Sequence, residues 1–151
     1  MPYPEEMVAP MRAEIVEMGV QELRTTREVE DFFAMKEGTS LLLINSVCGC
    51  AAGSARPAVR LALDNDPRPD RAATVFAGQD LEATALARDL LGDVPPSSPS
   101  VALMKDGELV HFVPRHLIEG QGADAVAANL IETFGAYCNS HPKGRDHGDL
   151  S

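Results

Sequence analysis

Two cysteines separated by a single glycine, Cys48-Gly49-Cys50, follow an apolar run, Leu41-Leu42-Leu43-Ile44, and precede a helix-compatible stretch from Ala51 to Asn65. They are two of the three cysteines in the chain. A thiol at a strand-to-helix junction meets free N–H groups and the positive end of the helix. Both favour the thiolate, the nucleophilic form. A second thiol within reach can attack any disulfide the first one forms. These residue types in this order suggest thiol–disulfide exchange. Packing alone explains them poorly, although free cysteine packs well. The rival chemistry is metal binding by two thiolates. A closed zinc site needs four ligands. Cys138, His111 and His116 are the residues that could complete one, although nothing in their spacing singles them out. The alternative function is a metal-binding or metal-delivery module on Cys48 and Cys50.

The elements that must position these thiols are legible in hydrophobic periodicity. Glu5 to Met18 sets Met7, Val8, Met11, Ile15 and Met18 on one helical face, with Pro10 as an alternative start and Gly19 as the stop. Core packing is the expected use of that stripe, with a homodimer contact as the alternative. Val20 to Leu23 reads as a short strand. Thr25 or Thr26 caps a helix over Arg27–Lys36, with Val29, Phe32 and Phe33 inward. Ser40–Asn45 is apolar enough to be buried on both faces. After the cysteine turn, Pro57 falls inside the next helix and should bend it unless that helix begins late. Ala72–Ala77 is a second buried strand. Asp80, with Gln79, caps a helix over Leu81–Leu91. Asp106-Gly107 marks a hairpin between Ser100–Lys105 and Glu108–Val113. Ala123–Tyr137 is the last helix, and the polar residues 139–151 form a tail expected to be disordered.

This order predicts an α/β protein with a central mixed β-sheet and helices on both faces, the arrangement of the thioredoxin fold. That fold carries a cis-proline beside its cysteines, and Pro99 stands in the matching place. At 151 residues the chain suits one domain. Its net charge of −10 argues against nucleic acid and against anionic membranes. No apolar run reaches a membrane span, and residues 1–6 lack a secretory signal pattern. A cytoplasmic protein is therefore expected, with cysteines that serve catalysis or metal binding and not a disulfide framework.

Longer blocks add a family resemblance. Met1-Pro2-Tyr3-Pro4-Glu5, the run from Asn45 to Pro57, Val75-Phe76-Ala77-Gly78-Gln79-Asp80, Pro95 to Ser100 and Lys105 to His111 resemble the bacilliredoxins. These are thioredoxin-fold bacterial proteins that work with the small thiol bacillithiol. The resemblance covers about residues 1–138, the expected domain. It implies an oxidoreductase that removes bacillithiol from S-bacillithiolated client proteins, with disulfide isomerase activity by the same exchange. Cys48 is then the nucleophile and Cys50 the resolving thiol. Bacillithiol is a co-substrate recycled by its own reductase, and no tightly bound cofactor or metal is needed. The chain departs from the Cys-x-x-Cys pattern of ordinary thioredoxins. It also lacks the buried aspartate that many of them carry in the preceding strand.

Around the motif, Gly49 tolerates the distortion a short Cys-Gly-Cys loop would demand. Arg56 is a candidate to hold the thiolate or a bacillithiol carboxylate, with an ordinary surface arginine as the alternative. Arg115 and His116, in the loop after the hairpin, are weaker candidates for ligand contact. Cys138 is expected to pack, unless the last helix folds back toward Cys48 and makes it a third redox thiol.

Overall fold

β2 (Thr39–Asn45) is buried along its whole length and sits at the centre of the molecule. The computed structural model describes residues 3–92, 94 and 96–139. The expected tail lies, from residue 140 onward, outside the described residues. The other strands are β1 (Gln21–Glu22), β3 (Arg71–Phe76), β4 (Ser100–Lys105) and β5 (Glu108–Val113). They form one sheet in the order β1-β3-β2-β4-β5. β1, β3 and β2 run parallel, whereas β4 and β5 join antiparallel. The helices are α1 (Glu5–Glu17), α2 (Thr26–Ala34), α3 (Arg56–Leu63), α4 (Leu81–Leu91) and α5 (Ala123–Tyr137).

Period-two alternation along β2 divides the core. Leu41 and Leu43 point into a cluster with Ile15 of α1, Val59 of α3 and Phe134 of α5. Leu42 and Ile44 point into a second cluster with Phe32 of α2 and Ala83 and Ala87 of α4. A strand buried on both faces has no polar side to show, which is why its sequence is continuously apolar. Asp106 (φ 52°) and Gly107 (φ 86°) both take left-handed backbone at the β4–β5 turn, the geometry that selects Asp-Gly in a two-residue hairpin. No described helix is long and apolar enough to cross a membrane.

Four local expectations need correction. α1 starts at Glu5 and runs through Pro10; the carbonyl that proline cannot serve belongs to exposed Glu6, where water can reach it. The buried face of α1 is Val8, Arg12 and Ile15, with Met7 exposed at 46% and Met11 and Met18 half-buried. Asp80 does not cap α4 with its side chain. Its two carboxylate oxygens each accept from Arg12, at 2.9 Å. Gln79 instead ties down the N-terminal segment: its amide accepts from the Tyr3 N–H at 2.8 Å and donates to the Tyr3 carbonyl at 2.9 Å.

Arg12 is 7% exposed and also donates to Glu5 at 2.7 Å and Glu22 at 3.0 Å, with its guanidinium over the Phe76 ring. It thereby staples α1 to the turn after β3. Replacing Arg12 with Met would leave Asp80 and Glu22 without their partner. The expected loss is roughly 3 kcal/mol of stability, read as a lower urea midpoint at unchanged m-value.

Candidate active site

β2 ends at Asn45, and helical backbone resumes at Gly49. The connection between them is held from inside. Arg56, 3% exposed, donates to the Asn45 side-chain oxygen at 2.9 Å and to the Ser46 carbonyl at 3.0 Å. Another of its N–H groups donates to Glu14 at 2.9 Å. The Asn45 side-chain oxygen also accepts from the Ser46 N–H at 2.9 Å. Arg56 is thus committed to the strand end and to α1, which corrects its expected role as a ligand-holding group.

The pinned turn delivers a hydroxyl to sulfur. Ser46 Oγ donates to Cys48 Sγ at 3.2 Å and accepts from the Cys48 N–H at 3.3 Å. The Cys48 carbonyl accepts from Ala51 and Ala52, at 3.1 and 3.3 Å, so Cys48 stands where a helix N-cap would stand. Burial by itself would push the Cys48 thiol up. The Ser46 hydroxyl, the backbone N–H groups of Ala51 and Cys50, and the Cys50 thiol outweigh it, and the Cys48 pKa lies below that of an ordinary thiol. Cys50 moves the other way, pushed up by desolvation and by the neighbouring Cys48 charge. The two thiols are free and half-buried, and their environments drive their pKa values apart.

The helix that carries them is irregular where proline demands it. Pro57 is the second residue of α3 and offers no N–H to the carbonyl of Gly53. Ala51–Ala55 accordingly widen into a π turn, closed by Arg56 N–H to the Ala51 carbonyl. This is how the expected bend is absorbed. Gly49 is exposed, keeps clear of left-handed backbone, and has open space where a β-carbon would stand. In the dithiol form its glycine identity meets no conformational demand.

A groove of about 310 Å³ opens beside Cys48, lined among others by Tyr3, Gly78, Arg88, Ser98 and Arg115. The Ser98–Pro99 peptide bond on its edge is cis. Arg115, in the 3₁₀ turn Arg115–Leu117, donates to the Ser98 carbonyl at 3.3 Å and lies 3.9 Å from Cys50 Sγ. Its own pKa is raised, first of all by the Cys48 charge. Arg115 therefore supplies the cation that Arg56 was expected to supply. Arg115 ranks only as a weaker candidate in the sequence, because a residue 67 positions from Cys48 carries no local signal of that meeting.

Cys138 sits elsewhere. Burial pushes its thiol up, and its neighbours are Thr39, Asp70 and Lys105, at the far end of β2 from Cys48. The strand separates the two ends by roughly 20 Å, so α5 does not bring Cys138 back to the motif. His111 is occupied by Asn129 at 2.9 Å. No group of three or more His, Cys, Asp or Glu among the described residues is arranged to hold a metal ion.

Because hydrogen bonds to sulfur favour its anion, losing one moves the titration up and depletes thiolate at neutral pH. In wild type the iodoacetamide rate of Cys48 should rise through a midpoint below that of a free cysteine. Ser46→Ala should shift that midpoint upward and slow alkylation at neutral pH by roughly fivefold.

The chain matches the family model described as disulphide isomerase over residues 3–138. It is 55% identical over 148 residues to a bacilliredoxin of Salinibacter ruber, covering 97% of this chain and 87% of that protein. A bacilliredoxin of Shouchella clausii is 52% identical over 136 residues, covering 90% of this chain and 94% of the relative. Among solved structures, a thioredoxin of Fasciola hepatica superposes with a TM-score of 0.55 at 21% identity, over 78% of this chain and 99% of that one. A thioredoxin of Malassezia sympodialis gives 0.52 at 15% identity, over 78% and 90%. These two likenesses establish the thioredoxin fold. Free cysteines at the head of a helix, that fold, and half-identical relatives along nearly the whole chain converge on one conclusion: the chain belongs to the bacilliredoxin family of thiol–disulfide oxidoreductases.

Proposed function

We propose that the protein removes bacillithiol from S-bacillithiolated protein cysteines, with Cys48 as nucleophile. The observation that carries the reading is the set of donors on Cys48 Sγ beside an open groove, which favours the thiolate over the thiol. The names of the half-identical relatives support bacillithiol as the small thiol.

In the first step the Cys48 thiolate attacks the bacillithiol sulfur of the mixed disulfide. A Cys48–bacillithiol disulfide forms as the client sulfur leaves, and that sulfur then takes a proton from solvent. Attack on the client sulfur would instead tie the client to Cys48, which is the first step of disulfide isomerisation. The Cys48–bacillithiol bond is cleared in one of two ways. A second bacillithiol thiolate can displace Cys48, leaving bacillithiol disulfide for its reductase. Alternatively Cys50 attacks Cys48, releases bacillithiol and leaves a Cys48–Cys50 disulfide to be reduced. The raised pKa of Cys50 keeps it protonated while Cys48 is charged, so it does not compete for the first attack. The Ser98–Pro99 edge lies on the groove where a client backbone would dock.

Two measurements test the reading. Mixing Cys50→Ala protein with a bacillithiolated model protein should add the mass of one bacillithiol at Cys48, and the double variant that also carries Cys48→Ala should gain none. An unmodified Cys48 with untouched substrate would remove the proposal. With bacillithiol abundant, Cys50→Ala should turn over within about threefold of wild type, because the small thiol clears the intermediate. Near-total loss would make Cys50 obligatory.

A further inference from the structure

Two arginines grip consecutive carbonyls of the segment that leads into Pro99. Arg88, on α4, donates to the Ser97 carbonyl at 3.3 Å, and Arg115 donates to the Ser98 carbonyl at 3.3 Å. Both arginines line the groove that contains Cys48. Arg115 has exposed Glu119 at 3.5 Å as a partner. Arg88 pairs with no carboxylate among the described residues. Its Nε is buried and has no hydrogen-bond partner among them. Burial pushes its pKa down, the direction expected of a cation without a counter-ion.

A guanidinium has five N–H donors in a rigid fork that matches a carboxylate, and among the described residues Arg88 spends one of them, on the Ser97 carbonyl. Even partial withdrawal of such a group from water without a counter-charge carries a cost, and Arg88 is half-buried with its Nε fully so. The chain as a whole carries a net charge of −10, which repels anionic small molecules. Two arginines beside the reactive sulfur offset that repulsion at short range and give an anion a place to bind. The groove, at about 310 Å³, has the size of a small-molecule site.

We propose that Arg88, with Arg115 beside it, receives a carboxylate of the small thiol and selects carboxylate-bearing thiols over neutral ones. The assignment rests on the exchange reading above and gives that site its substrate specificity. Arg88 acts in recognition only: it binds the carboxylate and presents the attached sulfur to Cys48, and no bond to Arg88 forms or breaks.

The test uses the full chain and one model protein whose single cysteine carries either bacillithiol or uncharged 2-mercaptoethanol. The quantity read is the ratio of kcat/KM on the two adducts. Wild type should favour the carboxylate-bearing adduct. Arg88→Gln should lower the ratio by roughly tenfold, mostly through KM, and Arg88→Lys should recover part of it. Equal slowing on both adducts by Arg88→Gln would mean that the arginine only shapes the wall, and would overturn the proposal. A wild-type ratio near one would overturn it while leaving exchange at Cys48 intact. Wild type inert on both adducts would overturn the exchange reading and this inference together. A measurement on the unmutated chain covers a variant that does not fold. Raising the ionic strength should erode the wild-type ratio, and a salt-insensitive ratio would overturn the proposal.

Discussion

The buried bond from Arg56 to Asn45 and Ser46 is the interaction on which the site depends. A strand as apolar as β2 offers little of its own to fix the turn at its end. The chain must nevertheless pass directly from that strand into a helix whose first residues carry both thiols. Arg56 solves this by reaching back from the start of α3 to the end of β2. The turn is thereby rigid, and the Ser46 hydroxyl stays within bonding distance of Cys48. An arginine that is 3% exposed can do this because Glu14 of α1, the Asn45 side-chain oxygen and the Ser46 carbonyl satisfy it. Without that clamp the donors on sulfur would have no fixed geometry, and burial would raise the Cys48 pKa.

The two thiols share a turn yet titrate apart. Cys48 occupies the capping position, where the free N–H groups of the helix converge, and Cys50 lies inside the first turn, where they do not. Charge on Cys48 then penalises charge on Cys50. The asymmetry that an exchange reaction needs, one thiolate to attack and one thiol held back, arises from a displacement of two residues along a helix start. The π turn beyond it serves the same end, because it absorbs Pro57 without disturbing the first turn.

Charge is distributed against the grain of the composition. The chain is acidic overall, yet the described cationic groups at the groove are Arg88 and Arg115, bracketing the Ser97–Ser98 segment. Glu5, Glu22 and Asp80 instead converge on Arg12 of α1.

Much of the architecture was legible in the sequence because it depends on local periodicity. The continuous apolar run of β2, the Asp-Gly hairpin, a threonine cap at Thr25 or Thr26 that proves to be Thr25, and the bounds of α4 and α5 are all short-range signals. The cysteine motif was legible too, since its chemistry needs only a strand end, a helix start and two thiols. The partners of single polar side chains were not legible. Asp80 has the sequence position of a cap, but a bidentate bond to buried Arg12, 68 residues away, outcompetes a single backbone N–H. Arg56 lies close to Cys48 in sequence, yet the helix turns it inward to the core. Arg115 lies far away in sequence, yet the β4–β5 hairpin carries it back to Cys50. Sequence by itself determined which residues could do the chemistry and which elements would carry them, because periodicity and residue type act over a few positions. Only the tertiary structure decided which charges meet the sulfur, because a side chain's partner depends on where distant elements pack.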